Sequence, residues 1–83
     1  MDYNSINNIK TKEDFIHFIE AMIKDFEDNQ EDWSNLTIKE FLEGMESWID
    51  DMDGYYENRK LPTPENINWK VFADILYASR MYE

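Results

Sequence analysis

The stretch LTIKEFLEGMESWIDDMDG, residues 36–54, decides the fold class because it holds the clearest helix start in the chain. Thr37 is placed to act as an N-cap, and Glu40 follows at the spacing of a capping box. The apolar residues of the stretch recur at the spacing of an α-helix: Ile38, Phe41, Leu42, Met45, Trp48, Ile49 and Met52. The pattern therefore predicts a helix over residues 38–53.

Gly54 is the predicted end of this helix, since glycine readily adopts the left-handed conformation of a helix C-terminus. The aspartates before it, in DDMDG, also resemble the start of a calcium loop. If Gly54 is aligned with the invariant glycine of an EF-hand loop, Ile49 falls at the first ligand position and Lys60 at the twelfth. Neither side chain suits calcium, so we predict a helix end there and no metal site.

Two more helices are predicted by the same apolar spacing. The first covers residues 12–28, with Thr11 as N-cap, and its apolar arc is wide enough to pack against two neighbours. The last covers residues 68–82, with Asn66 or Asn68 as its cap. Its inward side is expected to consist of Trp69, Phe72, Ile75, Leu76, Ser79 and Tyr82.

These helices predict an all-α fold. A connector of about 12 residues precedes the last helix, and its two prolines prevent a regular helix there. Strand-like alternation is absent, so we expect a compact three-helix bundle that forms a single domain over residues 1–83. The Asn-rich first ten residues would fray unless Tyr3, Ile6 and Ile9 lie against the bundle.

The chain is strongly acidic. Its formal net charge is −11, and residues 36–58 carry one Lys against seven acidic residues. We expect no binding to nucleic acid or to an anionic membrane, because both interactions depend on cationic side chains. A basic protein is the partner that this charge favours. The absence of cysteine, of a signal peptide and of any apolar run near the ~20 residues of a membrane span predicts a cytoplasmic protein.

Two blocks, DWSNLTIKEFLEGMESWIDD and NWKVFADILYASRMYE, resemble a family of small acidic bacterial domains of unknown function. The resemblance rests on a Trp-x-Asn element before a helix with Phe-Leu and a later Trp, and on a last helix of the form Trp-x-x-Phe-Ala that ends in Tyr-Glu. The residues that carry it are Trp33, Asn35, Phe41, Leu42, Trp48, Trp69, Phe72, Ala73, Tyr82 and Glu83. The resemblance implies a bacterial source and a helical fold, and it implies no activity.

Catalysis and metal binding find no support in the residue pattern. His17, the only histidine, falls on the side of the first helix away from its apolar arc, where a solvated imidazole is expected. No serine lies in a Gly-x-Ser-x-Gly context, and no Gly-rich phosphate loop is present. We therefore predict that the protein is not an enzyme and has no catalytic residue, metal site or cofactor.

The acidic face of the second helix is the first candidate for a partner-binding surface. It lies roughly opposite the apolar residues and comprises Glu40, Glu43, Glu46, Asp50 and Asp51, with Asp53 extending it. A concentrated negative patch attracts a basic partner and raises its association rate. A face that only keeps the protein soluble would show the same pattern, so both interpretations stay open.

Tyr77 and Met81 are the second candidate, four residues apart on the predicted outer side of the last helix. Exposed aromatic and Met side chains often mark interfaces. The alternative is that residues 55–64 fold back and cover them. The function predicted from both surfaces is a small interaction module that neutralises or regulates a cationic partner protein. The alternative function is a structural domain that assembles with copies of itself, and the partner's identity and the oligomeric state stay open.

Overall fold

The computed structural model describes the backbone of residues 3–82 and the side chains of residues 6–82. The expectations for the Tyr3 side chain and for Glu83 lie outside these ranges. The helical segments are a 3₁₀ helix at Tyr3–Asn8, α1 at Lys12–Asp28, a 3₁₀ turn at Gln30–Asp32, α2 at Ile38–Asn58 and α3 at Trp69–Ser79. No strand occurs among residues 3–82. The prediction of an all-α three-helix bundle is confirmed.

Helix α3 is the centre of the bundle, because both other helices pack against it. No Cα atom of α1 lies within 8 Å of one of α2. Helix α2 runs antiparallel to α3: Gly44 near its start lies against the last turn of α3, and Tyr56 near its end reaches back to Asp74. The two helices that flank α3 therefore depend on it for their main contacts.

The helix starts agree with the sequence. The hydroxyl of Thr11 accepts a hydrogen bond from the backbone N–H of Asp14 at 3.1 Å, and Thr37 accepts one from Glu40 in the same way. Each start is a complete capping box. Asn68 caps α3, since its side-chain oxygen accepts the N–H of Val71 at 2.8 Å. Each of these caps is a local interaction and can be read from neighbouring residues.

The predicted end of α2 is wrong. The helix continues through Gly54, which is exposed and has no positive φ angle, and ends at Asn58. Lys60 takes the left-handed conformation instead, with φ 58°. Its N–H bonds to the carbonyl of Glu57, and the N–H of Leu61 bonds to the carbonyl of Tyr56, which together form a Schellman motif. The connector therefore covers residues 59–68.

Helix α3 also ends earlier than predicted, at Ser79. The segment before α2 supplies the reason, because it binds the carbonyls at the end of α3. The backbone N–H groups of Ser34 and Asn35 both donate to the carbonyl of Arg80 at 3.0 Å. The side-chain amide of Asn35 donates to the carbonyls of Ser79 and Tyr82, both at 2.9 Å. These bonds cap α3 from outside.

The inward side of α3 is broader than predicted because two helices cover it. Val71, Ala73 and Asp74 are buried, although Asp74 is not among the residues predicted for the inward side. Trp69 and Phe72 are partly exposed, and their rings pack against the ring of Phe15 in α1. The core has two parts, one under α1 and one under α2, and α3 contributes to both.

The N-terminal 3₁₀ helix adds to the part of the core under α1. Ile6 is fully buried and Ile9 nearly so, and the segment contacts both α1 and α3. The sequence left open whether the first ten residues fray or pack on the bundle, and the burial of Ile6 and Ile9 agrees with packing. The segment is therefore the second neighbour, beside α3, that the width of the α1 apolar arc predicted.

Candidate partner-binding surfaces

The acidic face of α2 is exposed, but its carboxylates are not equivalent. Glu46, Asp50 and Asp53 make no hydrogen bond or ion pair with any residue in the described part of the chain. Glu43 pairs with Lys39 at 3.1 Å, and both side chains are more than half exposed. Such a surface pair contributes little stability. These four carboxylates point to solvent and are available to a partner.

Glu40 is engaged in holding the start of α2. Its carboxylate accepts the backbone N–H groups of Leu36 and Thr37, both at 3.2 Å. These two bonds lower the pKa of Glu40 below its ordinary value, because they favour the charged carboxylate. Although Glu40 belongs to the predicted surface, its first role is structural.

Asp51 turns toward α3 and accepts a hydrogen bond from the hydroxyl of Tyr82. This bond raises the pKa of the Tyr82 phenol, since it is made by the protonated form. Tyr82 lies next to Tyr77 and Met81, so the bond joins the acidic face to the second predicted surface. The two candidates from the sequence therefore lie side by side.

Tyr77 and Met81 line an apolar groove between α2 and α3, which we call the α2–α3 groove. Its volume is about 290 Å³, and its other main walls are Trp48, Tyr55 and Tyr82. Met81 is 48 % exposed and Tyr77 is half-buried. Tyr55 does lie beside them, but as part of α2, whereas Leu61 of the connector is exposed and does not line the groove.

Two arginines already stack on the rings of this groove. The guanidinium of Arg59 lies 4.8 Å from the centre of the Tyr55 ring, and that of Arg80 lies 3.9 Å from the centre of the Tyr77 ring. Such cation–π contacts use the electron-rich faces of the rings. The groove is thus better suited to an apolar side chain than to a further cation, and positive charge on a partner would be bound by α2.

Asp74 lies at the base of the α2–α3 groove and is 3 % exposed. One carboxylate oxygen accepts the Tyr56 hydroxyl at 2.7 Å and the Lys70 ammonium at 2.9 Å. The other oxygen is buried without a hydrogen-bond partner in the described residues. The paired oxygen fixes the last turns of α2 against α3 and so sets the width of the groove.

A buried polar cluster escaped the sequence analysis. Asp25 of α1 accepts the indole N–H of Trp33 at 2.8 Å and pairs with Arg80 at 3.2 Å, and both charged side chains are about 5 % exposed. Burial alone would raise the pKa of Asp25, yet the pKa is lowered on balance, and the hydrogen bonds from Trp33 and Asn29 are among the causes. The available signal was that Asp25 falls at the edge of the apolar arc of α1, one turn after Met22 and two turns after Phe18.

The described residues do not form a metal site or a membrane span. No three His, Cys, Asp or Glu side chains come together there in an arrangement that could hold a metal ion. His17 is exposed and lies 3.3 Å from Glu20. No helix in residues 3–82 is sufficiently long and apolar to cross a membrane.

Comparison with known proteins identifies a family and nothing further. The model of a family of unknown function, DUF7660, matches residues 11–83. The match begins at the N-cap of α1 and includes all three helices. No curated protein and no solved structure matches the chain.

Proposed function

The chain belongs to the DUF7660 family of unknown function, and we propose from its own surface that it acts by binding a basic partner protein. The proposed binding surface is the acidic face of α2 together with the α2–α3 groove. The observation that carries the proposal is the hydrogen bond from Tyr82 to Asp51, which places the acidic face of α2 beside an exposed apolar groove. Neutralising or regulating a cationic protein in the bacterial cytoplasm is the role that this surface suits.

The division of work between the two parts of the surface follows from their chemistry. The carboxylates of Glu46, Asp50 and Asp53 would attract the partner and orient it, because they are exposed and unpaired among the described residues. The groove would supply contact energy, since interfaces derive most of it from a few buried aromatic and apolar anchors. Met81 and the edge of Tyr77 are the groove residues that a partner side chain would reach first.

Charge reversal tests this proposal. The tagged protein is used to capture proteins from a lysate of its host, at low salt and again at about 1 M salt, where the Debye length is about 3 Å. The wild type should retain one stoichiometric basic protein that is lost at high salt. The triple variant Glu46→Lys/Asp50→Lys/Asp53→Lys should not retain it.

The matched control reverses the same number of exposed acidic residues elsewhere: Glu13→Lys/Glu31→Lys/Glu65→Lys. It should still capture the partner, because only the net charge has changed and not the face of α2. If both variants lose the partner equally, capture depends on net charge alone, and the proposal is contradicted. Recovery of nothing but further copies of the chain, at both salt concentrations, would favour self-assembly through Tyr77 and Met81 instead.

A further inference from the structure

A second groove lies between α1 and α2, above α3. It consists of two hollows of about 340 and 380 Å³ that share Phe26, Trp33 and Phe41. The Trp33 ring lies 5.1 Å from that of Phe26 and 6.2 Å from that of Phe41, so the three rings form a continuous aromatic floor. We call this surface the α1–α2 groove. It does not share a lining residue with the α2–α3 groove.

The walls of the α1–α2 groove are aliphatic and open to solvent. Ile23 of α1 is 56 % exposed, and Ile38 and Leu42 of α2 are 80 % and 54 % exposed. All three belong to the apolar arcs of their helices, which are wider than α3 can cover. Large apolar side chains gathered in one groove mark an interaction site more often than chance exposure does.

The rim of the groove is acidic. Glu27 lines it, Glu20 lies one turn before Ile23 on the same side of α1, and Glu46 lies one turn after Leu42 on α2. The lysines nearest to these residues in sequence are already paired, Lys24 with Asp28 at 3.3 Å and Lys39 with Glu43 at 3.1 Å. An occupant of this groove would therefore meet carbon at the floor and negative charge along both edges.

We propose that the α1–α2 groove binds one amphipathic basic helix of a partner protein. A position beside two helices and above a third is the one that the fourth helix takes in a four-helix bundle. An amphipathic helix would place its apolar face on the rings and its Lys or Arg side chains against the rim. A second copy of the chain fits less well, because each copy has a net charge of −11 and would bring carboxylates to an acidic rim. The proposal rests on the proposed function only for the sign of the partner's charge.

The test uses a synthetic helical peptide as probe. A peptide of about 18 residues, roughly five helical turns, carries Leu on one face and Lys on the other. Methyl-labelled protein is titrated with it and followed by NMR. The methyl signals of Ile23, Ile38 and Leu42 and the indole signal of Trp33 should shift. A peptide of the same composition, scrambled so that it has no apolar face, should bind about tenfold more weakly, because the Leu side chains no longer reach the floor together.

Variants of the exposed wall residues make the test specific. Ile23→Ser/Leu42→Ser should weaken peptide binding about tenfold or more, since two aliphatic contacts are lost. The matched control Leu61→Ser/Ile67→Ser removes two aliphatic side chains of the connector that are 48 % and 63 % exposed, and it should bind like the wild type. Equal affinity of the two variants would overturn the proposal.

Three other outcomes would also overturn it, and they separate it from the proposed function. If the peptide shifts the methyl signal of Met81 and leaves Ile38 and Leu42 unchanged, the basic-partner proposal stands and the α1–α2 groove is the wrong site. If sedimentation shows a dimer that Leu42→Ser dissociates, a second copy covers the groove. If the peptide leaves the Ile38 signal of the wild type unchanged, and Glu46→Lys/Asp50→Lys/Asp53→Lys no longer binds it, the acidic face of α2 alone is the binding site.

Discussion

The contacts of α3 and the gap between α1 and α2 are built in opposite ways. Where α3 meets its neighbours, buried polar bonds fix the geometry: Asp25 with Arg80 on one side, and Tyr56 with Asp74 on the other. In the gap, aliphatic side chains such as Leu42 are exposed, and no Cα atom of α1 lies within 8 Å of one of α2. Buried polar bonds are satisfied in only one arrangement of their side chains, whereas an apolar groove can contact an apolar partner in many arrangements. The first region therefore specifies the fold, and the second is suited to binding.

The largest expected effect comes from breaking the buried pair. Asp25→Ala should lower the free energy of unfolding by about 3–5 kcal/mol, because the guanidinium of Arg80 would stay buried without its partner. Urea denaturation followed by Trp fluorescence measures this loss. Asp28→Ala is the matched control in the same helix. It breaks an exposed pair with Lys24 and should cost at most about 1 kcal/mol. Equal losses in the two variants would show that the buried pair does not fix α1 on α3.

Gly44 and Gly54 give the next largest effect. A Cβ atom at Gly44 would lie 2.6 Å from the Asn35 amide nitrogen and 2.7 Å from the Tyr82 carbonyl oxygen, whereas at Gly54 it would meet nothing within 4 Å. Gly44→Ala should therefore destabilise the protein by about 1–3 kcal/mol. Gly54→Ala should stabilise it by about 0.5–1 kcal/mol, as expected in an open helix. Thermal denaturation of both variants checks the opposite signs, and a shared sign would refute the close approach at Gly44.

The smallest effect concerns the exposed hydrogen bonds that Glu40 accepts at the start of α2, beside the α1–α2 groove. The folded-state pKa of Glu40 is lowered, so its contribution to stability is present above its ordinary pKa of 4.5 and is lost as pH falls through the folded value. Glu40→Gln keeps an oxygen that can accept the same N–H groups but does not titrate. Its stability should therefore fall less steeply than that of the wild type between about pH 5 and pH 3. Urea midpoints across that range would measure both slopes, and parallel slopes would contradict the assignment.

The helix starts and the end of α1 could be predicted from the sequence, and the ends of α2 and α3 could not. Thr11, Thr37 and Asn68 each bond to a backbone N–H three residues away, so the information is local. Helix α2 ends in a Schellman motif in which Lys60, and not Gly54, takes the left-handed conformation. The end of α3 depends on Asn35, which is distant in sequence, and apolar periodicity carries no information about either end.

The candidate site was predictable to the same degree. Helical spacing placed Glu46, Asp50 and Asp53 on the exposed face of α2, where the structure has them. It did not show that Asp51 bonds to Tyr82 or that Arg80 covers the Tyr77 ring. The width of the α1 arc predicted two neighbours. The structure supplies α3 and the N-terminal 3₁₀ helix, and it leaves Ile23 exposed.

The central position of α3 has a consequence for synthesis on the ribosome. The two helices that are made first have no Cα atoms within 8 Å of each other, and the helix that joins them is made last. The bonds that close the structure link residues 55 and 47 positions apart. We therefore expect this all-helical chain to fold more slowly than a bundle of sequential hairpins. Until α3 has emerged, the apolar arcs of α1 and α2 stay exposed, and the repulsion among their many carboxylates is what keeps nascent chains apart.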